Sequence, residues 1–497
     1  MQRKSFCLAP LFAPLLAAGC RPEAVPTIPA RPHQGVTLRV ACPGDPSAAV
    51  VQTYARGWAA RAGVQVEVLR YDRPAGPEPV AAADVWVLRP AELPHWAAAG
   101  RLLPVPPQYS AREGPYAWRD LLPLYREQLL LWDRVAVGLP LLGEAPVCCY
   151  RTDLLEDGAH RQAFLQKNGW ELSAPRTWEE FAAVAEYFHE HGPAGKAGPS
   201  LPPLPADEGG LDRLFYTVAA GFARRAIPAD EETAGRAAET FSFHYDLNTG
   251  RPRIDAPGFV YALRLLERLQ KCRPAGASAA PAEAFRDGKA VLCVTDAAWL
   301  PAFQKGAVRD KFSVCPMPGG GCYFDFATGN KVEVWDAKGR GANRVPYLGS
   351  GGWLAVVPRG TAHAEAAFAL LAHLSGPQTS GEIVLEPRWG GPVRAPQLNR
   401  QRWDAFDLGP AQTAALREAL SETLLHRGLK NPALVLRIPE QASHRAALVG
   451  RLRPALAGGS AEAALKEAAR LWSELDKAKG PEAMRAEYRL SVGLLAR

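Results

Sequence analysis

Apolar and polar residues alternate strictly over residues 64–69 (VQVEVL), the mark of a half-buried strand. Residues 36–41 (VTLRVA) form a shorter β-rich run before it, and residues 48–62 between the two have helical character that ends at Gly63. Residues 84–88 (DVWVL) are the next apolar run, and a helix-like stretch follows and stops at Gly100. Strand, helix, strand, helix at this spacing predicts βαβ units and a parallel sheet.

The pattern restarts after Gly138. Residues 147–150 are strand-like. Thr177 followed by Glu180 is a helix-starting cap, and Phe181, Val184, Ala185 and Phe188 then fall on one face. Residues 191–210 are rich in Gly and Pro and predict a loop. Residues 259–269 predict an amphipathic helix, 290–294 an apolar strand, and 312–314 the start of another. Residues 319–347 look irregular. A strand over 354–357 and a helix over 362–374 follow, and residues 412–475 are mostly helical.

The amino terminus carries a different message. Arg3 and Lys4 precede an apolar run over residues 6–16, closed by Ala17-Ala18-Gly19-Cys20. The run is too short for a membrane span, which takes about 20 apolar residues, and has the parts of a secretory signal. A cysteine after small residues resembles a bacterial lipobox, with Ala17 where Leu is usual, and implies lipidation of Cys20. Residues 1–20 are thus expected to be a lipoprotein signal peptide. Pro22, Pro26, Pro29 and Pro32 make residues 21–35 a proline-rich tether. The alternative is an ordinary secretory signal cleaved nearby; both readings place the mature chain outside the cytoplasm, and the lipobox reading anchors it to a bacterial membrane in the periplasm or at the cell surface.

A chain of 497 residues is long enough for two or more cores. Its 58 Lys and Arg against 51 Asp and Glu give a net charge of +7, spread without a basic run interleaved with aromatics, so nucleic-acid binding is not expected. Beyond Cys7 and Cys20 seven cysteines remain: Cys42, Cys148, Cys149, Cys272, Cys293, Cys315 and Cys322. An odd count leaves at least one without an intramolecular disulfide partner. No Cys-x-x-Cys pair or histidine spacing points to zinc, and neither metal nor cofactor is expected. The chain lacks Gly-x-Ser-x-Gly, His-Glu-x-x-His and a Walker A loop, so it is read as a binder with no catalytic residues.

The stretch Gly138 to Leu155 reads GLPLLGEAPVCCYRTDLL and is followed by APRTWEEF, ending at Phe181. It resembles the bacterial extracellular solute-binding proteins of family 1, the maltose-binding-like partners of ABC importers. Tyr150-Arg151-Thr152-Asp153-Leu154 stands at the family's Tyr-Asn-x-Asp-Leu turn, with Arg151 replacing Asn. Pro175, Thr177, Trp178, Glu179, Glu180 and Phe181 match the next motif. Further pieces fall in family order: Ala83-Asp84-Val85, Gly100-Arg101-Leu102-Leu103-Pro104, Phe285-Arg286-Asp287-Gly288-Lys289-Ala290-Val291, residues 312–318 (FSVCPMP) and Gly351-Gly352-Trp353-Leu354-Ala355-Val356.

The resemblance implies an α/β, type II periplasmic-binding fold of two lobes with ligand between them, closing about hinge crossings. It places the crossings near Gly143, Asp310 and Val393. Lobe one would comprise residues 36–143 plus 312–393, and lobe two residues 144–311 plus 394–497. The implied function is capture of a small solute, a sugar or polyol, as a monomer, and its delivery to ABC permease subunits. A sensor lipoprotein reporting to a membrane kinase is the first competing class, separated by the neighbouring genes. A secreted carbohydrate-active enzyme is the second, separated by a turnover assay. Family matching and strand-end position nominate Asp45, Arg89, Glu144, Asp212, Trp299 and Trp353 as ligand contacts: carboxylates for hydroxyls, rings for sugar faces, Arg89 for an anionic solute.

Overall fold

The computed structural model describes residues 31–71, 83–192, 196–336, 339–386, 390–398, 403–425 and 429–495. The expected signal peptide, Cys20 and residues 21–30 of the expected tether lie outside the described residues.

The early βαβ pattern folds as expected. Strand β1 (Thr37–Cys42) leads into helix α1 (Ser47–Ala62), which ends where Gly63 adopts φ +77° and its N–H reaches Ala59 O. Only glycine takes that left-handed cap at no steric cost. Strands β2 (Gln65–Arg70) and β3 (Val85–Leu88) both pair with β1 in parallel. Strand β4 (Leu139–Leu142) and a late strand complete a five-stranded sheet. That late strand, β8 (Trp353–Val356), runs antiparallel between β3 and β4. Helices α1 and α5 (Ala364–Ser375) cover this sheet.

The second sheet is antiparallel and has three strands. Its centre is β5 (Pro146–Arg151), flanked by β6 (Leu292–Asp296) and β7 (Phe312–Cys315). Alternation along β5 sends adjacent residues to opposite sides. Cys149 joins the apolar cluster continuous with the first sheet, and Cys148 joins the cluster beneath the lobe-two helices. Those helices are α2 (Trp178–His191), α3 (Glu208–Ala223), α4 (Pro257–Arg268), α7 (Gln441–Leu456) and α8 (Ala461–Asp476). Helix α6 (Pro410–Leu424) packs on β7 from the other face. The α2 start is the expected one: Thr177 Oγ1 accepts from Glu180 N at 3.2 Å, and Phe181, Val184, Ala185 and Phe188 are buried. The seven cysteines named above beyond Cys7 and Cys20 are free thiols. Two pairs face each other across strands, Cys149 with Cys293 and Cys148 with Cys315.

One expectation needs correcting. Residues 312–318 were expected to return the chain to lobe one near Asp310. Instead Phe312–Cys315 pairs with β5 in the second sheet. The chain then stays on that side: Gly319 bonds Arg176 and Trp178, and Tyr347–Leu348 pairs with Ala433–Leu434. It crosses only at Gly349–Gly352, immediately before β8. The assignment of residues 312–348 to lobe one therefore fails. An apolar run announces a strand but not its partner, which here is set by β5 and the α6 face.

The other crossings lie side by side. Gly143 and Gly391 exchange backbone hydrogen bonds of 3.0 and 2.9 Å. A Cβ on Gly143 would sit 2.2 Å from Pro392 O, and one on Gly391 would sit 2.3 Å from Glu144 O, so the close approach needs both glycines. Among the described residues no helix is long and apolar enough to cross a membrane.

Candidate functional site

Beside these crossings lies a cavity of about 290 Å³, small but of the order expected for a small-solute site. Its inner walls are apolar and aromatic, from Trp178 and Phe181 of α2, Leu214 and Val218 of α3, Leu265 and Leu266 of α4, and Leu269 just beyond that helix. Its polar rim gathers Glu144, Asp207, Arg213, Asp296 and Ser350, with Trp299 alongside. A second cavity of about 430 Å³ shares Pro146, Thr217, Met317 and Tyr347 with it.

Local chain geometry explains each rim residue. Asp296 ends β6. Its Oδ2 accepts from Ala145 N at 2.8 Å and its Oδ1 from Ala298 N at 3.0 Å, so it ties the first crossing to the turn that carries Trp299. Trp299 is half-buried, stacked on Phe303 with centroids 6.3 Å apart, and lines the cavity. Glu144 follows the hinge glycine and is buried. Its Oε1 accepts from Gly349 N and its Oε2 from Gly351 N at 2.8 Å. Burial raises the Glu144 pKa, and the two amides pull it back. The carboxylate is thus a clamp between two crossings, and it holds Ser350 and Gly351 at the cavity. A Cβ on Gly351 would press within 2.9 Å of Glu144 Cβ.

Glu144 and Trp299 are the two nominated residues that line the cavity. Arg89 and Trp353 stand just behind it. The Arg89 guanidinium lies 3.5 Å from the Trp353 ring centroid, and its Nη1 donates to Gly352 O at 2.9 Å. Burial, with Arg213 nearby, lowers the Arg89 pKa to about 10. Trp353 is buried within β8 and serves as the floor under Arg89. Asp212 is buried on α3 and does not line the cavity. Its environment is Arg445, Arg213, Glu208, Tyr216 and Tyr347, and burial pushes its pKa up to about 7. Asp45 stands away from this cavity. It is exposed, paired with Arg70 at 3.2 Å, and not in the cavity wall, because the loop after β1 turns it toward the outer strand β2.

Sequence reasoning missed Arg213, Asp296 and Ser350. Asp296 was within reach, since it ends the same strand whose position nominated Trp299. Arg213 carried a helical signal, because Gly210, Arg213, Leu214, Thr217 and Val218 share one α3 face and all line the cavity. Ser350 had no signal without knowing where the chain crosses.

A family model described as a bacterial extracellular solute-binding protein matches residues 67–391. No curated protein sequence matches the chain. Among solved structures, the sugar-binding protein MalE from Xanthomonas citri superposes with a TM-score of 0.64 at 18% identity, covering 89% of this chain and 98% of that one. An ABC transporter solute-binding protein from Agrobacterium radiobacter K84, solved with ribitol, gives 0.62 at 20% identity over 89% and 100%. One from Agrobacterium vitis S4, with bound D-mannitol, gives 0.60 at 18% over 90% and 99%. The fold is the type II periplasmic-binding fold, and on the match over residues 67–391 the chain belongs to the bacterial extracellular solute-binding protein family.

Proposed function

We propose that the mature chain is a lipid-anchored extracytoplasmic receptor. It captures a sugar or polyol in the cavity beside the crossings, closes its lobes over it and presents it to an ABC importer. The observation that carries this reading is the convergence at one cavity of a half-buried tryptophan, a strand-end aspartate, a helix arginine and the crossing at Ser350–Gly351. Apolar and aromatic walls with a few fixed polar groups suit a polyhydroxyl solute, whose carbon faces stack while its hydroxyls are bonded. The relatives' ligands supply the first probes: ribitol, mannitol, tagatose and maltose.

A ligand present at a hundred times its Kd stabilises the native state by about 2.7 kcal/mol. At least one of the four is therefore expected to raise the melting temperature by a few degrees. No shift with any of them at millimolar concentration would count against a sugar or polyol cargo.

The anchor is tested separately. Wild-type protein produced in a bacterial host should fractionate with membranes and partition into detergent. Cys20→Ala should leave the mature chain in the soluble fraction. Soluble, unlipidated wild type would overturn the anchor and leave the binding reading intact.

A further inference from the structure

Strand β5 carries two adjacent cysteines, and each meets a cysteine on a neighbouring strand. Cys148 stands directly opposite Cys315 of β7, and Cys149 directly opposite Cys293 of β6. Side chains alternate along a strand, so the two pairs lie on opposite faces of the sheet. Directly opposed residues of an antiparallel ladder have Cα atoms about 4.5 or 5.5 Å apart, and a disulfide spans Cα separations of about 4.4–6.8 Å. Register alone therefore permits either bridge.

Access and place separate the two pairs. Cys149 and Cys293 are buried, and Cys293 Sγ donates to Val294 O at 3.8 Å. Cys315 is half-buried, and its Sγ donates to Pro175 O at 3.8 Å. A hydrogen bond with the Cys315 thiol, together with burial, raises the Cys148 pKa well above the usual thiol range, so these two sulfurs already lie side by side. Cys148 and Cys315 also form the last rung of the β5–β7 ladder. Two residues on, Met317 would face Pro146, which has no N–H to donate. Met317 and Pro146 both line the two cavities. The pair thus sits where backbone bonding between these strands stops and the cavity wall begins.

The family is extracellular, and extracytoplasmic compartments permit disulfides. We propose that Cys148 and Cys315 are a disulfide-forming pair, which an external disulfide oxidant joins across β5 and β7, tying the two strands at the edge of the cavity. The structure shows the reduced form. Half-buried Cys315 reacts first: its Sγ bonds to one sulfur of the oxidant as the oxidant's S–S bond breaks and releases a thiol. Cys148 Sγ then attacks Cys315 Sγ and displaces the second oxidant sulfur. The two cysteine protons pass to the two released sulfurs. The cysteines lose two electrons, and the oxidant's disulfide is reduced to two thiols. Cys149 and Cys293, buried on the other face, stay as thiols.

The test uses the full chain exported by a bacterial host, reduced, freed of reductant and exposed while folded to glutathione disulfide. Acid quenching, alkylation under denaturing conditions and peptide mapping before and after reduction read the pairing. We expect a Cys148 peptide linked to a Cys315 peptide, with Cys149 and Cys293 recovered alkylated. A long loop is closed by this bond, so the linked form should melt at least a few degrees above the reduced one. Cys315→Ser should give no linked Cys148 peptide, and the oxidant should leave its melting temperature unchanged. Recovery of Cys148 and Cys315 both alkylated, linkage of either to a different cysteine, or a linked form that melts no higher than the reduced one would overturn the proposal. The wild-type map decides this even where the variant does not fold. No solute enters the experiment, so its failure leaves the solute-binding reading intact.

Discussion

At pH 8 the Asp212→Asn variant is expected to melt several degrees above the wild type, and near pH 3 the two are expected to coincide. Asp212 is buried on α3, no ion pair reaches it among the described residues, and burial raises its pKa from 3.8 to about 7. A carboxyl whose folded pKa is raised binds its proton more tightly in the native state. Its contribution to stability is complete below the unfolded value and declines as pH climbs toward the folded one. The wild type should therefore lose stability between about pH 4 and pH 7 through this group and change little through it above that. At about 1.4 kcal/mol per unit, the ceiling on the loss is about 4 kcal/mol. Asparagine still buries a polar amide, so a gain of about 1–3 kcal/mol at pH 8 is the expected share. Thermal melts of both proteins from pH 3 to pH 8 check this. Parallel curves across the range would show that Asp212 does not titrate there.

Glu144→Ala is expected to destabilise the protein by about 3–5 kcal/mol and to abolish solute binding. The side chain holds the amides of Gly349 and Gly351, the crossing between the second sheet and β8. Hydrogen bonds to a charged group contribute about 1.5–3 kcal/mol each, and a buried amide left unpaired costs a comparable amount. Binding suffers in addition because Ser350 and Gly351 form part of the cavity wall. Glu144→Gln keeps one acceptor but turns an amino group toward the second N–H, so its loss should fall between wild type and alanine. Denaturant melts with a calorimetric titration of each variant supply both readouts. A Glu144→Ala protein of wild-type stability would remove the clamp from the account.

The elements built from local signals were legible in the chain. The βαβ start, the Thr177 cap and the α2 apolar face depend on spacing within a few residues, and the structure has them. What the sequence did not carry was the choice of partner. β7 looks like any short apolar strand, and only its pairing with β5 shows that the chain remains in the second lobe until Gly349. The same limit governed the site. Position at a strand end nominated Trp299, the family resemblance of residues 141–145 nominated Glu144, and both line the cavity. Asp45 satisfied a similar rule after β1 but pairs outward with Arg70. Asp212 was nominated by family correspondence alone, yet one residue along α3 turns a side chain by about 100°, enough to exchange Asp212 inside for Arg213 at the cavity.

The central claim is that a solute is held in this cavity against Trp299. Stacking one face of a small ring on an indole removes apolar surface worth roughly 1–2 kcal/mol at ~25 cal/mol per Å². The direct measurement is calorimetric titration of Trp299→Ala with whichever probe most raises the wild-type melting temperature, beside a melt of the unliganded variant. The account predicts a Kd roughly tenfold weaker or more, with a melting temperature within a few degrees of wild type because the ring is only half-buried. An unchanged Kd, or a collapse of the unliganded melt as in a large-to-small core change, would contradict it.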